Sequence, residues 1–512
     1  MKIERSKNAL NGIVWGTINN GVALILPFII RTLVIYIFGV EYAGLSGLFT
    51  SILQVLNLAE LGMSSAIVYS MYKPIANDDF GTLSALLCFY RKVYRIIGLT
   101  ILIAGICLLP FLDYLIKGSY PDELNIRLLF LIYLANTVTS YLFFAYKTTL
   151  LTAHQRTDII SKITIFVRFL QNITQLAIII FLTDFYLYVG VTVLFTTLNN
   201  FLCHRQTVKL YPKIVCEGKL SDFHKCEIKQ SVKGLVITQL CMVSRNSFDT
   251  IFISSFVGLV ATTIYGNYYY LLTTVGGMLS VVLTSIVAGV GNSIETESVE
   301  KNHRDMNKLM FIYMWISGWC TCCFVCLYQP FMELWMGKEL LLPFGCVVLM
   351  SLYFFILRLG DIRAQYSNAN GLWWQGRKIC ITETIVNFVL NFVLGYFFHI
   401  WGILIATIIS VLFVNFTGLA TVLYKEYFKQ FSVMSFFSKA LLYMLTTIIA
   451  STISYVIATT ISHNSLTGLI YGLVICLLVP NIIFYLVYMH TDVYADSRNF
   501  ISELLKSIKQ ST

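Results

Sequence analysis

Charge is scarce in this chain. Asp, Glu, Lys and Arg make up only 12% of its 512 residues, whereas hydrophobic residues make up 57%. Soluble proteins carry about 25% charged residues, so a soluble globular domain cannot account for the bulk of the sequence. Proline is also rare, with 8 residues, while aromatic residues reach 15% and suit membrane interfaces. The mean hydropathy of +0.75 indicates a polytopic membrane protein.

Signatures of nucleotide-binding and catalytic sites are absent as well. The sequence has no Walker A motif, no Gly-rich dinucleotide fingerprint and no nucleophile elbow, which argues against an ATP-driven pump. We expect no cofactor. The basic residues are spread over many short loops without a nucleic-acid-binding motif, so no nucleic acid is expected either. Four cysteines in one apolar segment without histidine are expected to be packing residues, not metal ligands: Cys320, Cys322, Cys323 and Cys326.

Fourteen segments are long and apolar enough to cross a bilayer, which takes about 20 residues as a helix. They are residues 12–38, 44–71, 93–116, 124–146, 159–182, 186–208, 235–257, 262–288, 309–328, 341–365, 379–398, 401–423, 436–461 and 466–489. The predicted fold is therefore an all-α polytopic membrane protein with about 14 transmembrane helices. An even number of spans places both termini on one side.

The distribution of basic residues predicts the orientation. Basic residues near a span end, such as Arg363, are counted with the adjoining loop. With the N-terminus in the cytosol, 29 of the 36 Lys and Arg residues then face the cytosol, 3 lie outside and 4 lie well inside spans. Cytosolic loops are enriched in Lys and Arg, so both termini are predicted to be cytosolic. The loops on the outer side are short, and residues 113–123 and 329–340 are the longest. An enzyme working on the outer face would need a larger loop, so we expect the protein not to be an enzyme.

The longest hydrophilic stretch, residues 205–233, divides the first twelve spans into two groups of six. Two groups of six spans indicate an internal repeat. Internal repeats are common in transporters, where the substrate site lies at the repeat interface. The expected domains are an N-terminal six-helix lobe at 1–210, a cytosolic linker at 211–234, a C-terminal six-helix lobe at 235–424, an additional helix pair at 436–490 and a cytosolic tail at 491–512.

Four arginines lie within spans, where a bare charge is costly and marks a functional site by default. They are Arg31, Arg168, Arg245 and Arg358. Arg245 has Asp249 four residues on, and Arg358 has Asp361 three residues on, so each is either a self-neutralised structural pair or a ligand-binding group. Arg31 and Arg168 have no acid within one turn. Each of them needs a carboxylate from another helix, a water-filled cavity or an anionic ligand.

Acidic and amide side chains within the spans are candidates for coupling or for packing. Glu60 is either the cross-helix partner of an arginine or a protonatable coupling group, because burial raises the pKa of a carboxyl group. Asp249 and Glu383 are further candidates for cation coupling. The pairs 171/175 and 387/391 each place two amides on one helix face. Such amides either join helices or would suit a hydroxyl-rich sugar.

Three short motifs lie between Gly39 and Asp79. A turn of pattern G-x-x-Y-x-G-L-x-G-L-F begins at Gly39, a segment L-x-L-A-E-L-G ends at Gly62, and an exit Y-K-P-x-A begins at Tyr72. Together they resemble the start of bacterial polysaccharide-export flippases. These form the polysaccharide transporter family of the multidrug/oligosaccharidyl-lipid/polysaccharide superfamily. Fourteen spans in a 6+6+2 arrangement extend the similarity to the full length.

The resemblance implies two six-helix lobes around a central cationic cavity in a bacterial cytoplasmic (inner) membrane. It implies that an undecaprenyl-diphosphate-linked oligosaccharide, such as an O-antigen or capsule repeat unit, is flipped from the inner to the outer leaflet by alternating access. The cavity arginines would then pair with the pyrophosphate, a role that falls to Arg31 and Arg168, then Arg245, with Arg358 as a further candidate. Some relatives use a proton or sodium gradient and a carboxylate in span seven, which matches Asp249. Implied partners are the lipid-linked glycan, membrane lipids, H⁺ or Na⁺, and polysaccharide polymerase or export proteins.

Other functions stay open at this point. A lipid II flippase for peptidoglycan would have the same architecture and a different glycan. A multidrug/cation antiporter of the same superfamily should have an acid-dominated cavity and usually twelve spans, and four intramembrane arginines speak against it. A repeat-unit polymerase or ligase would need a large outer loop with catalytic Arg or His.

Overall fold

The computed structural model describes residues 26–57, 63–118, 120–218, 220, 222–461 and 465–511, and every regular element within them is helical. Backbone groups in hydrocarbon must find their hydrogen bonds within the chain, and a helix satisfies them locally. The chain divides into two compact units, Met1–Thr263 and Ile264–Thr512. By sequence pattern and by fold, the protein is an all-α, multi-pass membrane protein.

Among the described residues, unit 1 holds nine helices and the start of a tenth. They are α1 (Leu26–Ile37), α2 (Val40–Leu56), α3 (Met63–Ala76), α4 (Phe80–Leu108), α5 (Ile126–Leu142), α6 (Thr148–Ala153), α7 (Thr157–Ala177), α8 (Phe185–Leu210), α9 (Asp222–Phe256) and α10 (Leu259–Thr296). A short 3₁₀ segment, Leu109–Leu115, extends α4, and another, Ala145–Lys147, precedes α6. A π-helical turn at Ile178–Leu182 ends α7.

Unit 2 contains the rest of α10 and eight further helices. They are α11 (Val299–Met336), α12 (Phe344–Leu359), α13 (Asp361–Ala369), α14 (Trp373–Ile409), α15 (Thr417–Glu426), α16 (Val433–Ile461), α17 (Ser465–Tyr488) and α18 (Asp492–Ser511). A π-helical segment, Ser410–Phe416, joins α14 to α15.

The helix α14 is two spans joined by a sharp reversal. His399 has φ 53 and ψ −130, which is not helical. The Asn387 amide donates to Thr407 Oγ1 at 3.1 Å and to Ser410 Oγ at 3.2 Å. In a straight helix residues 20 apart would be about 30 Å apart, so the chain must fold back near His399. Gly402 then packs against the Leu394 backbone, where a β-carbon has no room.

Small residues set the close helix contacts in unit 1. A β-carbon on Gly44 of α2 would lie 2.5 Å from the Leu259 carbonyl, and one on Gly105 of α4 would lie 2.5 Å from Leu134 of α5. The hydrophobic effect contributes little to helix association in lipid, because lipid tails are as apolar as the side chains. Close backbone approach and interhelical hydrogen bonds therefore hold the helices together. The bond from Thr196 Oγ1 of α8 to Asn136 Oδ1 of α5, at 2.8 Å, is of the second kind.

The pair α16–α17 packs on α11 in unit 2, and two tryptophans of α11 hold α17 by hydrogen bonds. Trp315 Nε1 donates to Asn481 Oδ1 at 2.9 Å, and Trp319 Nε1 donates to the Cys476 carbonyl at 2.8 Å. A buried indole N–H needs such a partner. Ring contact between Trp315 and Tyr494 brings the start of α18 onto the same helix, with centroids 6.3 Å apart.

The predicted all-α membrane fold is confirmed, and the described residues of each predicted span are largely helical. Three segments differ in detail from the sequence expectation. The predicted span 44–71 covers two helices, α2 and α3. Helix α9 begins at Asp222, so part of the expected linker is helical, and the tenth span bends at Gly360, between α12 and α13. Helices need not end at the membrane surface, so apolar length alone does not place their ends. Glu60 lies outside the described residues.

Candidate functional site

One side of α7 is polar along most of its length. Its members recur every three or four residues and lie on one helix face: Ser161, Thr164, Arg168, Gln171, Asn172 and Gln175. We call this set the α7 polar face. The opposite side of α7 exposes Phe166 and Phe169, which suits lipid. A spanning helix with one polar side turns that side towards protein or water.

Arg168 is the charged member of the α7 polar face, and its side chain is exposed on unit 1. It lies 11 residues from the start of α7 at Thr157, about 16 Å along the helix. Its guanidinium forms no hydrogen bond or ion pair with the part of the chain that the structure describes. A bare guanidinium at this depth is tolerated in a water-filled space or against an anion, but hardly against acyl chains.

Neighbours of Arg168 on the same face bond to other helices. Gln175 is buried, and its amide donates to the Tyr188 carbonyl of α8 at 3.2 Å. Thr164 Oγ1 lies 3.4 Å from Asn199 Oδ1, also on α8. These contacts fix the rotation of α7 against α8, and so they fix the direction in which Arg168 points.

Arg31 of α1 approaches the same part of unit 1. It is half-buried, and its charge lies within electrostatic range of the Tyr188 phenol. Phe38, at the end of α1, packs on Phe185 with ring centroids 5.2 Å apart, which ties α1 to the start of α8. Arg31 and Gln175 therefore both approach Tyr188. The sequence did not indicate this convergence.

Arg245 and Asp249 are both buried on α9, with 6% and 1% of their surface exposed. They are one helical turn apart on a helix that packs antiparallel to α2. Ser247 Oγ donates to Gln54 Oε1 at 3.3 Å within this packing. Opposite charges at this spacing share one helix face. Their burial favours the structural-pair interpretation of Arg245 over the ligand-binding one.

Arg358 and Asp361 form a direct ion pair in unit 2. Arg358 Nη1 lies 2.9 Å from Asp361 Oδ2, with the side chains 15% and 23% exposed. Tyr313 of α11 donates its hydroxyl hydrogen to the same carboxylate oxygen at 2.6 Å. Gly276 lies beside the guanidinium without crowding it: a β-carbon on Gly276 would be in ordinary contact with Arg358 Nη2, at 3.7 Å. This geometry favours the structural pair, which is the first of the two roles that the spacing between Arg358 and Asp361 predicts.

A further buried arginine lies two residues beyond Asp361. The sequence expectation placed Arg363 in a cytosolic segment, yet it is only 5% exposed and lies within electrostatic range of Asp361. Asp361 is therefore the ion-pair partner of Arg358 and also lies within electrostatic range of a second guanidinium. The only sequence signal for this is the position of Arg363 at the end of an apolar segment beside an acid.

Glu383 heads a polar row on α14 with Asn387 and Asn391, spaced four residues apart and at most 1% exposed. Asn391 Nδ2 donates to Asn387 Oδ1 at 3.2 Å, and Asn387 in turn reaches Thr407 and Ser410 across the reversal. The π-helical segment Ser410–Phe416 faces this row. Irregular turns of this type are frequent at functional sites. Glu383 is thus a buried carboxylate one turn from a network of amides and hydroxyls, and carboxylate and amide oxygens are the ligands that hard cations prefer.

Cysteines of α11 pack among helices. Cys322 Sγ lies 3.2 Å from Ser451 Oγ of α16, and Cys476 Sγ of α17 lies 3.8 Å from the Cys322 carbonyl. In the described residues no group of three His, Cys, Asp or Glu side chains is arranged to hold a metal ion.

Solved membrane transporters share this fold. An inward-facing multidrug resistance MATE family transporter of the MOP superfamily has a TM-score of 0.64 and 14% identity, over 83% of this chain and 99% of its own. The lipid II flippase MurJ, in an inward closed conformation, has a TM-score of 0.62 and 16% identity, over 93% and 99%. The MATE transporter VcmN of Vibrio cholerae has a TM-score of 0.56 and 15% identity, over 84% and 99%.

Identities this low establish a common fold and nothing finer. No protein-family model and no curated protein matches the sequence. The chain therefore shares its fold with solved proteins that include a multidrug resistance transporter and a lipid II flippase. What this chain does has to be inferred from its own residues.

Proposed function

We propose that the protein is a flippase that moves an undecaprenyl-diphosphate-linked oligosaccharide repeat unit across the cytoplasmic membrane by alternating access. The fold that it shares with transporters supports a transport role over an enzymatic one. The observation that carries the proposal is Arg168, exposed near mid-depth on a polar helix face. A cationic surface at this depth suits an anionic cargo better than a cationic drug.

Arg168 and Arg31 are assigned to the diphosphate of the cargo. Guanidinium groups donate two parallel N–H bonds to phosphate oxygens, and at a desolvated site such charge-assisted bonds are about twice as strong as neutral ones. The amides of the α7 polar face add donors and acceptors for sugar hydroxyls. Arg245, paired on its own helix, is assigned a supporting role, and Arg358 is assigned to the charge network with Asp361.

Coupling to a proton or sodium gradient is assigned to buried carboxylates. Asp249 in unit 1 and Glu383 in unit 2 are both 1% exposed within spans. A buried carboxylate is compensated by a proton, a cation or a charged side chain, and one whose compensation can exchange would respond to the gradient. Asp361 already has a guanidinium and a phenol as partners and is assigned to structure.

The test is export of a surface glycan in a bacterium that depends on this protein. Arg31→Ala and Arg168→Gln are each expected to abolish display of the glycan while the protein remains folded and inserted. Lys162→Gln is the matched control, because Lys162 is an exposed cation on the same helix as Arg168. Normal glycan display in both arginine variants would remove them from the site and refute the proposal.

A reconstituted flipping assay separates the cargoes. Vesicles containing the protein are supplied in turn with a lipid-linked oligosaccharide, with lipid II and with a cationic drug. Arg168-dependent flipping of the first supports the proposal. Arg168-dependent flipping of lipid II alone would reassign the protein to peptidoglycan synthesis, and transport of the drug alone would make it an antiporter.

A further inference from the structure

A group of basic side chains converges at the end of unit 1 that is predicted to face the cytosol. Tyr146 lies at its centre, buried between α4, α8 and the loop after α8. The surrounding residues come from four segments of the chain: Arg91, Arg95, Lys147, His204 and Cys216. We call this set, with Tyr146, the Tyr146 cluster. Neither the spans nor the motifs of the sequence pointed to it.

Arg91 is held towards the centre of the cluster. Its guanidinium lies close to the Tyr146 hydroxyl, within electrostatic range of it. Tyr146 is itself anchored, since Thr149 Oγ1 donates to its carbonyl at 2.6 Å. Lys147, the next residue, lies within electrostatic range of Arg91 and of His204. Like charges gathered in this way repel one another unless an anion lies among them.

Within the described residues, carboxylates do not supply that anion. The groups within electrostatic range of Arg91 and Lys147 there are phenols, thiols and other cations. Burial raises the pKa of the Cys216 thiol to about 11, so it is neutral at physiological pH. Burial and the nearby Arg91 charge lower the pKa of Lys147. A bound anion would favour the charged form of Lys147.

Two polar atoms of the cluster are buried without a hydrogen-bond partner in the described part of the chain. They are Arg91 Nε and His204 Nδ1. Buried polar atoms are satisfied in most proteins, so each unsatisfied atom needs an explanation, and a missing ligand is one. Two such atoms in a single cationic cluster point to the same missing group.

The backbone beside the cluster is strained. Phe144 has φ 61, a left-handed conformation that is rare for a bulky residue. Its ring stacks on His204 with centroids 4.3 Å apart and an interplanar angle of 11°. The strain directs residues 145–147 onto α4. Conformations of this kind persist where the surroundings enforce them, and they concentrate at functional sites.

We propose that the Tyr146 cluster binds the phosphate of a lipid headgroup at the membrane surface. Arg91 lies just before the apolar part of α4, at headgroup depth, and Arg95 is one turn further in. A guanidinium, an ammonium and a phenol can together donate to three phosphate oxygens. The phosphate belongs either to a bulk anionic phospholipid or to a polyprenyl diphosphate. The site itself does not depend on the flippase proposal.

The experiment measures lipid binding to the full-length protein in detergent by native mass spectrometry. Phosphatidylglycerol, undecaprenyl diphosphate and phosphatidylcholine are titrated separately. Arg91→Gln and Lys147→Gln are each expected to weaken binding of the occupant at least tenfold, equivalent to about 1.4 kcal/mol. Lys92→Gln is the matched control: it removes the same charge from the neighbouring, exposed position and should leave binding unchanged.

The outcome also identifies the occupant. Weakened binding of phosphatidylglycerol assigns the site to bulk anionic lipid, and weakened binding of undecaprenyl diphosphate alone assigns it to a lipid-linked diphosphate. If Arg91→Gln does not yield a monodisperse protein, Lys147→Gln carries the test. Unchanged binding in the well-folded variants, or an equal loss in Lys92→Gln, would overturn the proposal.

Discussion

The ion pair between Arg358 and Asp361 leads to a quantitative prediction. Replacing Asp361 with Asn keeps the size of the side chain and an oxygen for the Tyr313 hydroxyl, and it removes the negative charge. Arg358 then remains largely buried, with no carboxylate at 2.9 Å, and Arg363 loses the same neighbour. Removing one partner of a buried pair costs about 3–5 kcal/mol, while exposed pairs are worth about 0–1 kcal/mol.

The exposures of 15% and 23% place this pair towards the lower end of the buried range, at about 3 kcal/mol. For a unit of about 250 residues, each kcal/mol shifts Tm by roughly 2–4 °C, so Asp361→Asn should lower Tm by about 6–12 °C. Thermal unfolding of the purified protein in detergent measures this shift. Glu333→Gln is the matched control, because Glu333 pairs at 3.5 Å with Lys338, which is 83% exposed.

A second substitution checks the mechanism. Arg358→Met added to Asp361→Asn removes the stranded charge, so the double variant should recover much of the lost stability. The reasoning fails if Asp361→Asn leaves Tm within the range of Glu333→Gln, or if the double variant is less stable than the single one. Either result would mean that Arg358 is neutralised by something other than Asp361, and it would return Arg358 to the list of cargo-binding residues.

Two further predictions concern coupling and the reversal in α14. Asp249→Asn should weaken the dependence of flipping on an ion gradient, because the amide cannot exchange a proton or bind a cation as strongly. Flipping by the folded variant in reconstituted vesicles, with and without the gradient, measures this, and unchanged gradient dependence would refute it. Gly402→Ala should reduce the yield of monodisperse protein in size-exclusion chromatography, because the new methyl group meets the Leu394 backbone. Gly190→Ala on α8, where a β-carbon meets open space, should be neutral or slightly stabilising, and equal behaviour of the two variants would contradict the packing argument.

Helix positions were predictable from the sequence because the bilayer enforces them. A crossing needs a minimum apolar length, and short polar turns separate one crossing from the next. The reversal at His399 within α14 illustrates this, since the break between the predicted spans 379–398 and 401–423 falls on it. Helix ends in water are under no such constraint. The early start of α9 at Asp222 and the burial of Arg363 on α13 therefore escaped prediction.

The candidate site was predictable in part. Counting ionisable residues in spans found Arg31, Arg168, Asp249 and Glu383, because their cost in lipid is a property of the residue type. The pairing of residues across helices was not predictable, since it depends on helix rotation. The α7 polar face could have been found by including Ser161 and Thr164 with the amides, because hydroxyl groups at three- and four-residue spacing extend the stripe.

Depth and exposure together distinguish the arginines more sharply than either property alone. Arg245 is buried and Arg358 largely so, and each has an acid within one turn on its own helix, with which Arg358 forms a direct ion pair. Arg168 is at a similar depth, yet it is exposed on a polar face and receives no such compensation from the described residues. A folded chain in lipid would not retain that cost unless a hydrated space or an anion met the guanidinium. At Arg168 the structure therefore favours a hydrated space or an anionic ligand, and Lys162→Gln beside Arg168→Gln is the comparison that tests the proposed cargo site.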